Sequence, residues 1–360
     1  MALFDELFKL YDDLQTDILR EIADRTARNP EKDIDEWHAR MLSQTGMMRK
    51  SVLKKLSKIT KRAPPDIERM FVKYGLGVFH KDEKAYKYAA SKGFFGGAPL
   101  PKYSGKIFEK IINSGIKGCY DRLNLVHTTA EQSSQEAFRS VVNRVYVSSS
   151  LGGKSFSEAA QEALRALADR GISGVTYRTP SGRIIHQTID VAVRRMVATS
   201  YEQMGGDVQM QMAKDWKNNF VETSSHMGAR PSHAVWQGQT FQLDGDDRYP
   251  NFYTECKYGE GDGIKGYNCH HDFYPFFPGL STQAFPHYDE KKNAEQYAQE
   301  QKQRGYERQI RKYKRRRDTA DAAGQAEASE QAQGKVRQYQ KMQREHVKKY
   351  NLERDYSREK

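Results

Sequence analysis

Between Phe220 and Gly279 the chain gathers four of its ten histidines, His226, His233, His270 and His271, and two of its three cysteines, Cys256 and Cys269. Imidazole and thiolate are the donors that zinc prefers, and a closed tetrahedral site needs four of them. His226, His233, Cys269 and His271 are the candidate ligands. Their spacing is irregular: no C-x-x-C pair exists, and the adjacent Cys269, His270 and His271 cannot all point the same way. The same residues suit a second chemistry, in which His226 or His233 activates Cys269 as the nucleophile of a hydrolase. A third reading has no ligand at all. The histidines then hydrogen-bond backbone in a buried loop junction, and Cys269 packs as a small apolar group.

Two further strings mimic known motifs. Gly261, Gly263 and Gly266 satisfy G-x-G-x-x-G, but a dinucleotide site needs that string between a strand and a helix. Here it precedes an aromatic, cysteine-containing loop. Asp244, Asp246 and Asp247 resemble the opening of a calcium loop, yet no EF-hand spacing or closing glutamate follows, so a turn is expected.

The elements that must position these loops are mainly helices. Leu3, Leu7, Leu10, Leu14 and Ile18 mark one face of a helix over residues 2–28, ended by Asn29-Pro30. Such a stripe must be covered, by the chain itself or by a protein partner. Further helices are expected at 33–45 and 48–60, with a break at Ala63-Pro64-Pro65, then at 66–75, 81–91, 106–115 and 130–150 around a Gly/Pro-rich loop at 93–105. Ser155 and Glu158 have capping-box spacing before a helix that stops at Gly171. A hairpin turns at Thr179–Gly182, and a helix from about 188 is kinked or broken at Gly205-Gly206. Strands are expected at 220–224 and 238–243. Residues 285–360 carry 20 Lys and Arg against 13 Asp and Glu, which reads as two charged helices joined near 319–334. The class is therefore α+β and predominantly helical: a helical region over 1–150, a small α+β domain with short strands and the His/Cys loop cluster over 151–284, and a basic helical tail over 285–360.

Composition narrows the function. No apolar run approaches the roughly 18 residues of a membrane span, and the acidic N-terminal stretch does not read as an export signal. Three widely spaced cysteines suit a reducing cytoplasm. The net charge of +12 points to an acidic partner, nucleic acid first. Arg311, Lys312, Lys314, Arg315, Arg316 and Arg317 form the densest basic run and are the expected contacts to duplex DNA.

The strings SSHMGARPSHAVWQGQTF and KYGEGDGIKGYNCHHDFYPFFPG resemble the phage minor capsid protein 2 family and, more distantly, the Mu F-like head morphogenesis domain of tailed bacteriophages. SFSEAAQEALRALADRGISGVTY and QRGYERQIRKYKRR extend the likeness over most of the chain. One departure is His270, where that family usually places arginine. The resemblance implies a structural protein of the virion, not an enzyme. It implies a place in the capsid interior or at the portal vertex after assembly in the host cytoplasm. Its partners would be the portal protein, other head proteins and packaged DNA. A metal- or cysteine-dependent hydrolase acting during DNA entry is the alternative. On the structural reading the loops form a clasp of His226, Arg230, His233, Trp236, Asn268, Cys269 and His271, with Arg230 holding a carboxylate or carbonyls and Trp236, Phe273, Phe276 and Phe277 as its core. No cofactor is then expected, zinc being the ion that the ligand types would suit.

Overall fold

The computed structural model describes residues 2–28, 33–98, 101, 105–151, 153–179, 182–245 and 248–360. Six long helices carry most of them: α1 (Ala2–Thr26), α3 (Thr45–Ser91), α4 (Gly105–Ser150), α6 (Ile189–Asp215), α9 (Glu290–Ala322) and α10 (Ala326–Tyr350). Shorter helices are α2 (Ile34–Ser43), α5 (Phe156–Arg170), α7 (Pro231–Ala234) and α8 (Phe252–Cys256). The strands make two antiparallel sheets. One is the hairpin of β1 (Ser173–Arg178) and β2 (Ile184–Thr188); the other has the order β4-β3-β5, from β3 (Phe220–Thr223), β4 (Thr240–Gln242) and β5 (Phe273–Pro275). The expected class, α+β and predominantly helical, holds. Among the described residues no helix is long and apolar enough to cross a membrane. Asn29-Pro30, the hairpin residues Pro180 and Ser181, and Asp246-Asp247 lie outside the described residues.

Local signals were followed closely at α5. The Ser155 side chain accepts from the Glu158 N–H, the Glu158 carboxylate accepts from the Ser155 N–H, and Gly171 closes the helix at a φ of 69°. Expected interruptions are absent from α3, α4 and α6. α3 runs through Pro64-Pro65 although an interior proline costs about 3 kcal/mol. Its buried row Val52, Leu56, Ile59, Ala63, Ile67, Met70 and Phe71 keeps three- and four-residue steps across the prolines, so burial on both flanks holds the helix. α4 is likewise continuous, because Ile112, Ile116, Cys119, Leu123, Val126 and Ala130 carry one buried stripe through the expected gap.

Contacts group the chain into two compact units. Unit 1 comprises Met1–Pro64, Leu123–Arg194 and Gln301–Lys360; unit 2 comprises Pro65–Arg122 and Arg195–Glu300. The chain passes between them inside α3, α4, α6 and α9, whereas the division 1–150, 151–284 and 285–360 follows chain order. Within unit 1 the α1 stripe is largely covered: Leu7, Leu14 and Ile18 are buried, with Tyr11, Leu19 and Ile22 beside them, Leu10 is half-buried, and α1 packs on α5. The side chain of Leu3 lies outside the described residues. That face is core, not a free surface for a partner.

Unit 2 explains why α6 does not break at Gly205-Gly206. A Cβ on Gly205 would meet the Tyr74 ring at 2.6 Å, and one on Gly206 would meet the Tyr258 hydroxyl at 2.9 Å. The glycines admit these rings against the helix. Gly115 of α4 does the same for α6, since its Cβ would sit 2.6 Å from Met204 Cγ.

Two neighbouring substitutions in α4 separate packing from helix propensity. Gly118 has nothing within 4 Å of an added Cβ, so Gly118→Ala is expected to stabilise by about 0.5–1 kcal/mol. Gly115→Ala gains the same propensity but overpacks against Met204, and a net loss of about 1–2 kcal/mol is expected. Urea unfolding midpoints of the two variants check the opposite signs.

Candidate functional site

β3 is the middle strand of its sheet and all four of its residues are buried. Its last residue, Thr223, pairs with Phe273, the first of β5. Beyond the ladder the Ser224 N–H donates to the Asp272 carbonyl at 2.7 Å, and Ser224 Oγ accepts from the Asp272 N–H at 2.8 Å. The segment leaving β3 and the segment entering β5 therefore lie at the same end of the sheet. This pairing brings His233 to Cys269 although they are 36 residues apart. Pro275 is tolerated in β5 because that strand is an edge.

Three donor atoms converge at this end. His233 Nδ1 lies 3.2 Å from His271 Nδ1, and Cys269 Sγ lies 3.8 Å from each of them. All three residues are buried. His226 stacks on the His271 ring at 4.4 Å between centroids, while Trp236 lies edge-on to it at 4.8 Å. Trp236, Phe273 and Cys269 belong to one apolar cluster with Val221, Phe241, Phe252, Cys256 and Ile264. Phe277 packs elsewhere in unit 2, against Tyr86, Phe94 and Phe95, and Phe276 lies near Tyr249. Asn268 is exposed and takes a left-handed φ of 54°, shaping the chain just before Cys269.

The outer nitrogens limit the tautomers. The His226 N–H donates to Gln237 Oε1 at 3.0 Å, which fixes that atom as oxygen, so His271 Nε2 at 3.1 Å must donate to it. The His271 Nδ1 lone pair therefore faces His233. His233 Nε2 sits between the Asp262 carbonyl at 2.8 Å and Arg230 Nε at 3.0 Å. With its proton on Nε2 it donates to the carbonyl and turns a second lone pair into the cluster, but sets that N–H against the N–H of Arg230. With its proton on Nδ1 it accepts from Arg230 and donates to His271, but sets a lone pair against the carbonyl. Arg230 Nη2 donates to the Tyr267 carbonyl at 3.1 Å, so the guanidinium holds the RPSH turn to the loop before Cys269.

Burial pushes His233 down to about 4 and His271 down to about 2, so both rings are neutral near pH 7. Burial also pushes the Cys269 thiol up. A cysteine nucleophile needs the opposite shift.

The loop from Lys257 to Asn268 is folded tightly on itself, and its G-x-G-x-x-G string serves that packing. A Cβ on Gly263 would lie 1.9 Å from the Lys257 carbonyl oxygen, and one on Gly266 would lie 2.6 Å from that of Gly261. Lys265, also left-handed at φ 61°, is fully buried with its ammonium 2.8 Å from Asp272 and 2.9 Å from Glu202. Burial opposes its charge, but the two carboxylates outweigh it and hold its pKa raised.

With this geometry in hand, comparison with known proteins decides the family. The family described as phage minor capsid protein 2 matches residues 2–348. The chain belongs to that family. A protein named "Structural protein" from Lactococcus phage LL-H is 25% identical over 355 residues, covering 95% of this chain and 93% of the relative. A second "Structural protein", from Lactococcus phage mv4, is 36% identical over 114 residues, covering 31% of this chain and 92% of the relative. No solved structure matches the chain. As a minor capsid protein 2 family member, the chain is a structural protein of a bacteriophage virion.

In this family member the basic run of the tail lies within unit 1 and is committed to partners there. Arg315 Nε donates to the Ala168 carbonyl at 2.9 Å, and Arg316 Nη2 donates to the Asp169 carboxylate at 2.6 Å. Together they close the C-terminus of α5, where cations are favoured. Lys312 lies 3.6 Å from Asp169, Arg311 donates to the Arg358 carbonyl, and Arg317 donates to Asp318 and Gln333. Lys314 is half-buried, and burial depresses its pKa.

Three positions around the cluster were not singled out by residue type or spacing. The buried Glu222 carboxylate accepts from the N–H groups of Ala284 and Phe285. Asn293 accepts from the N–H groups of Gly228 and Ala229 and donates to the Ala229 carbonyl, all at 2.9 Å. Lys265 is the third. Each is an ordinary polar residue whose role exists only once distant backbone arrives beside it, so no local pattern marks it.

Asn293→Ala leaves two buried N–H groups unpaired and is expected to destabilise by about 2–4 kcal/mol, against about 1–2 kcal/mol for the half-buried Arg230→Ala; chemical unfolding ranks them. Asp82, fully buried, is raised to about 7 first by burial and then by the Asp272 charge, against Lys81 and Lys265. Its folded pKa lies above its unfolded value near 3.8. Stability from this group is thus present below about pH 4 and lost as pH rises through about 7, with a slope of at most about 1.4 kcal/mol per pH unit. Unfolding of Asp82→Asn across pH 4–8, a range set by that shift, is expected to lack this component.

Proposed function

We propose that this structural protein sits in few copies at the portal vertex and contacts packaged duplex DNA without sequence preference. The family's description as a minor capsid protein supports the first part, because the portal vertex offers few positions and the shell lattice many. The observation that carries the DNA contact is an exposed basic row on α10. Arg337, Lys341, Arg344 and Lys348 follow one another at four-, three- and four-residue steps, and all are exposed. Those steps place them on one helix face, opposite the buried Ala332, Val336 and Gln343. Lys341 is only loosely paired, 3.9 Å from Glu345. The row replaces the 311–317 run as the proposed phosphate contact, since that run is engaged inside unit 1.

Four cations engaging duplex DNA give a log–log salt slope of about −3.5. Replacing all four by glutamine is expected to take the slope close to zero while unfolding stays unchanged, as measured by fluorescence anisotropy on random-sequence duplex at graded salt. Arg316→Gln is expected to destabilise unit 1 and leave the slope in place. An unchanged slope in the α10 variant overturns the DNA contact. Copy number by quantitative mass analysis of virions tests the portal position, which requires a ratio tied to the portal and not to the major shell protein.

A further inference from the structure

We propose that His233, Cys269 and His271 are the protein ligands of one zinc-type divalent ion, which ties the RPSH turn to the NCHH string. The argument starts from the triangle of donor atoms. A tetrahedral ion with metal–nitrogen distances of about 2.0–2.1 Å and a metal–sulfur distance of about 2.3 Å separates its nitrogens by about 3.3 Å and nitrogen from sulfur by about 3.6 Å. The cluster has 3.2 Å between its nitrogens and 3.8 Å from sulfur to each. The sulfur accepts from the His271 backbone N–H at 3.4 Å and stands at the third corner of a coordination polyhedron.

The surroundings supply what such a site requires. Metal-bound histidine donates its other N–H to a carbonyl or similar acceptor, which fixes the tautomer. His271 Nε2 has Gln237 Oε1, itself held by the His226 N–H, and His233 Nε2 has the Asp262 carbonyl at 2.8 Å. In that tautomer both Nδ1 lone pairs face inward, an arrangement that is repulsive until a cation occupies the space between them. Sulfur plus two imidazoles favour zinc over magnesium or calcium, which take oxygen donors. On binding, the Cys269 thiol releases its proton to solvent. Three protein donors leave a fourth position for water, while His226 stacks on His271 and is not among the converging donors. Three buried side chains of two distant strings would thus be locked by one ion in a unit whose sheet has strands of only three or four residues.

The alternative is a proton relay in which Arg230 donates to His233, His233 to His271 and His271 to Gln237, with no ion. Elemental analysis by X-ray fluorescence on the full-length protein, expressed with zinc in the medium, separates the two. About one zinc per chain is expected. Cys269→Ser and His271→Asn are expected to lose it, and His270→Ala, an exposed neighbour, to retain it. So that the test does not depend on folding of the ligand variants, a second measurement uses the unmodified sequence: EDTA-treated protein titrated with Co(II) is expected to develop a thiolate-to-cobalt charge-transfer band that saturates at one equivalent. Absence of both zinc and the cobalt band overturns the proposal in favour of the relay. Full zinc retention by a folded Cys269→Ser protein overturns the assignment of the ligands. Neither result bears on the DNA contact of α10, which lies on another element.

Discussion

The antiparallel pairing of β3 with β5 is the constraint on which the rest of unit 2 depends. Three residue pairs and the Ser224–Asp272 exchange set the end of the sheet from which both motif strings depart. Once that register is set, His233, Cys269 and His271 can only meet. A one-residue slip would turn Phe273 out of the apolar cluster and move Asp272 away from Lys265. The short ladder is itself supported from its flanks. The buried Gln209 side chain of α6 donates to the Phe273 carbonyl, Glu222 receives the 284–285 backbone, and Asn293 holds the turn at Gly228 and Ala229. Each support satisfies a backbone group of the ladder or its flanks, although Gln209 Oε1 is itself buried without a partner.

Charge in this protein does two kinds of work. In the 311–317 run, arginine forks reach backbone carbonyls and carboxylates at the end of α5, so their geometry counts for more than their net charge. On α10, Arg337, Lys341, Arg344 and Lys348 are exposed at helical spacing, with Lys341 loosely paired to Glu345, so their field reaches outward. The dense run is conspicuous in a linear reading, whereas the α10 row is diluted by glutamines, glutamates and tyrosines. Exposure, and not density, separates the two roles. The same contrast applies to Lys265, one of 59 basic residues, which is enclosed between the Glu202 and Asp272 carboxylates.

Much of the local architecture was written in the residues themselves. The α5 capping box, its glycine stop, the β1–β2 hairpin, β3 and the pair of tail helices all follow from short-range patterns, because caps, turns and alternation act over a few residues. The family resemblance and the structural role were likewise legible, since the motif strings are distinctive in combination. The membership of the cluster was half legible: residue types named the four candidate donors, but nothing local says that His226 stacks while the other three converge.

Tertiary structure decided the remainder, for reasons of distance and cooperativity. Pro64-Pro65 and Gly205-Gly206 are local breakers, yet buried stripes and the rings of Tyr74 and Tyr258 outweigh their propensities and keep α3 and α6 whole. The fate of the α1 stripe was also a tertiary matter, because any amphipathic helix shows such a face and only packing tells whether the chain itself covers it. β5 is three residues long and contains a proline, too little to announce a strand, and it exists because β3 offers it an edge. The amino-acid sequence by itself determined which groups were available as donors, caps and cations. Which of them face one another was decided by long-range pairing, whose free energy accrues only after distant segments have met.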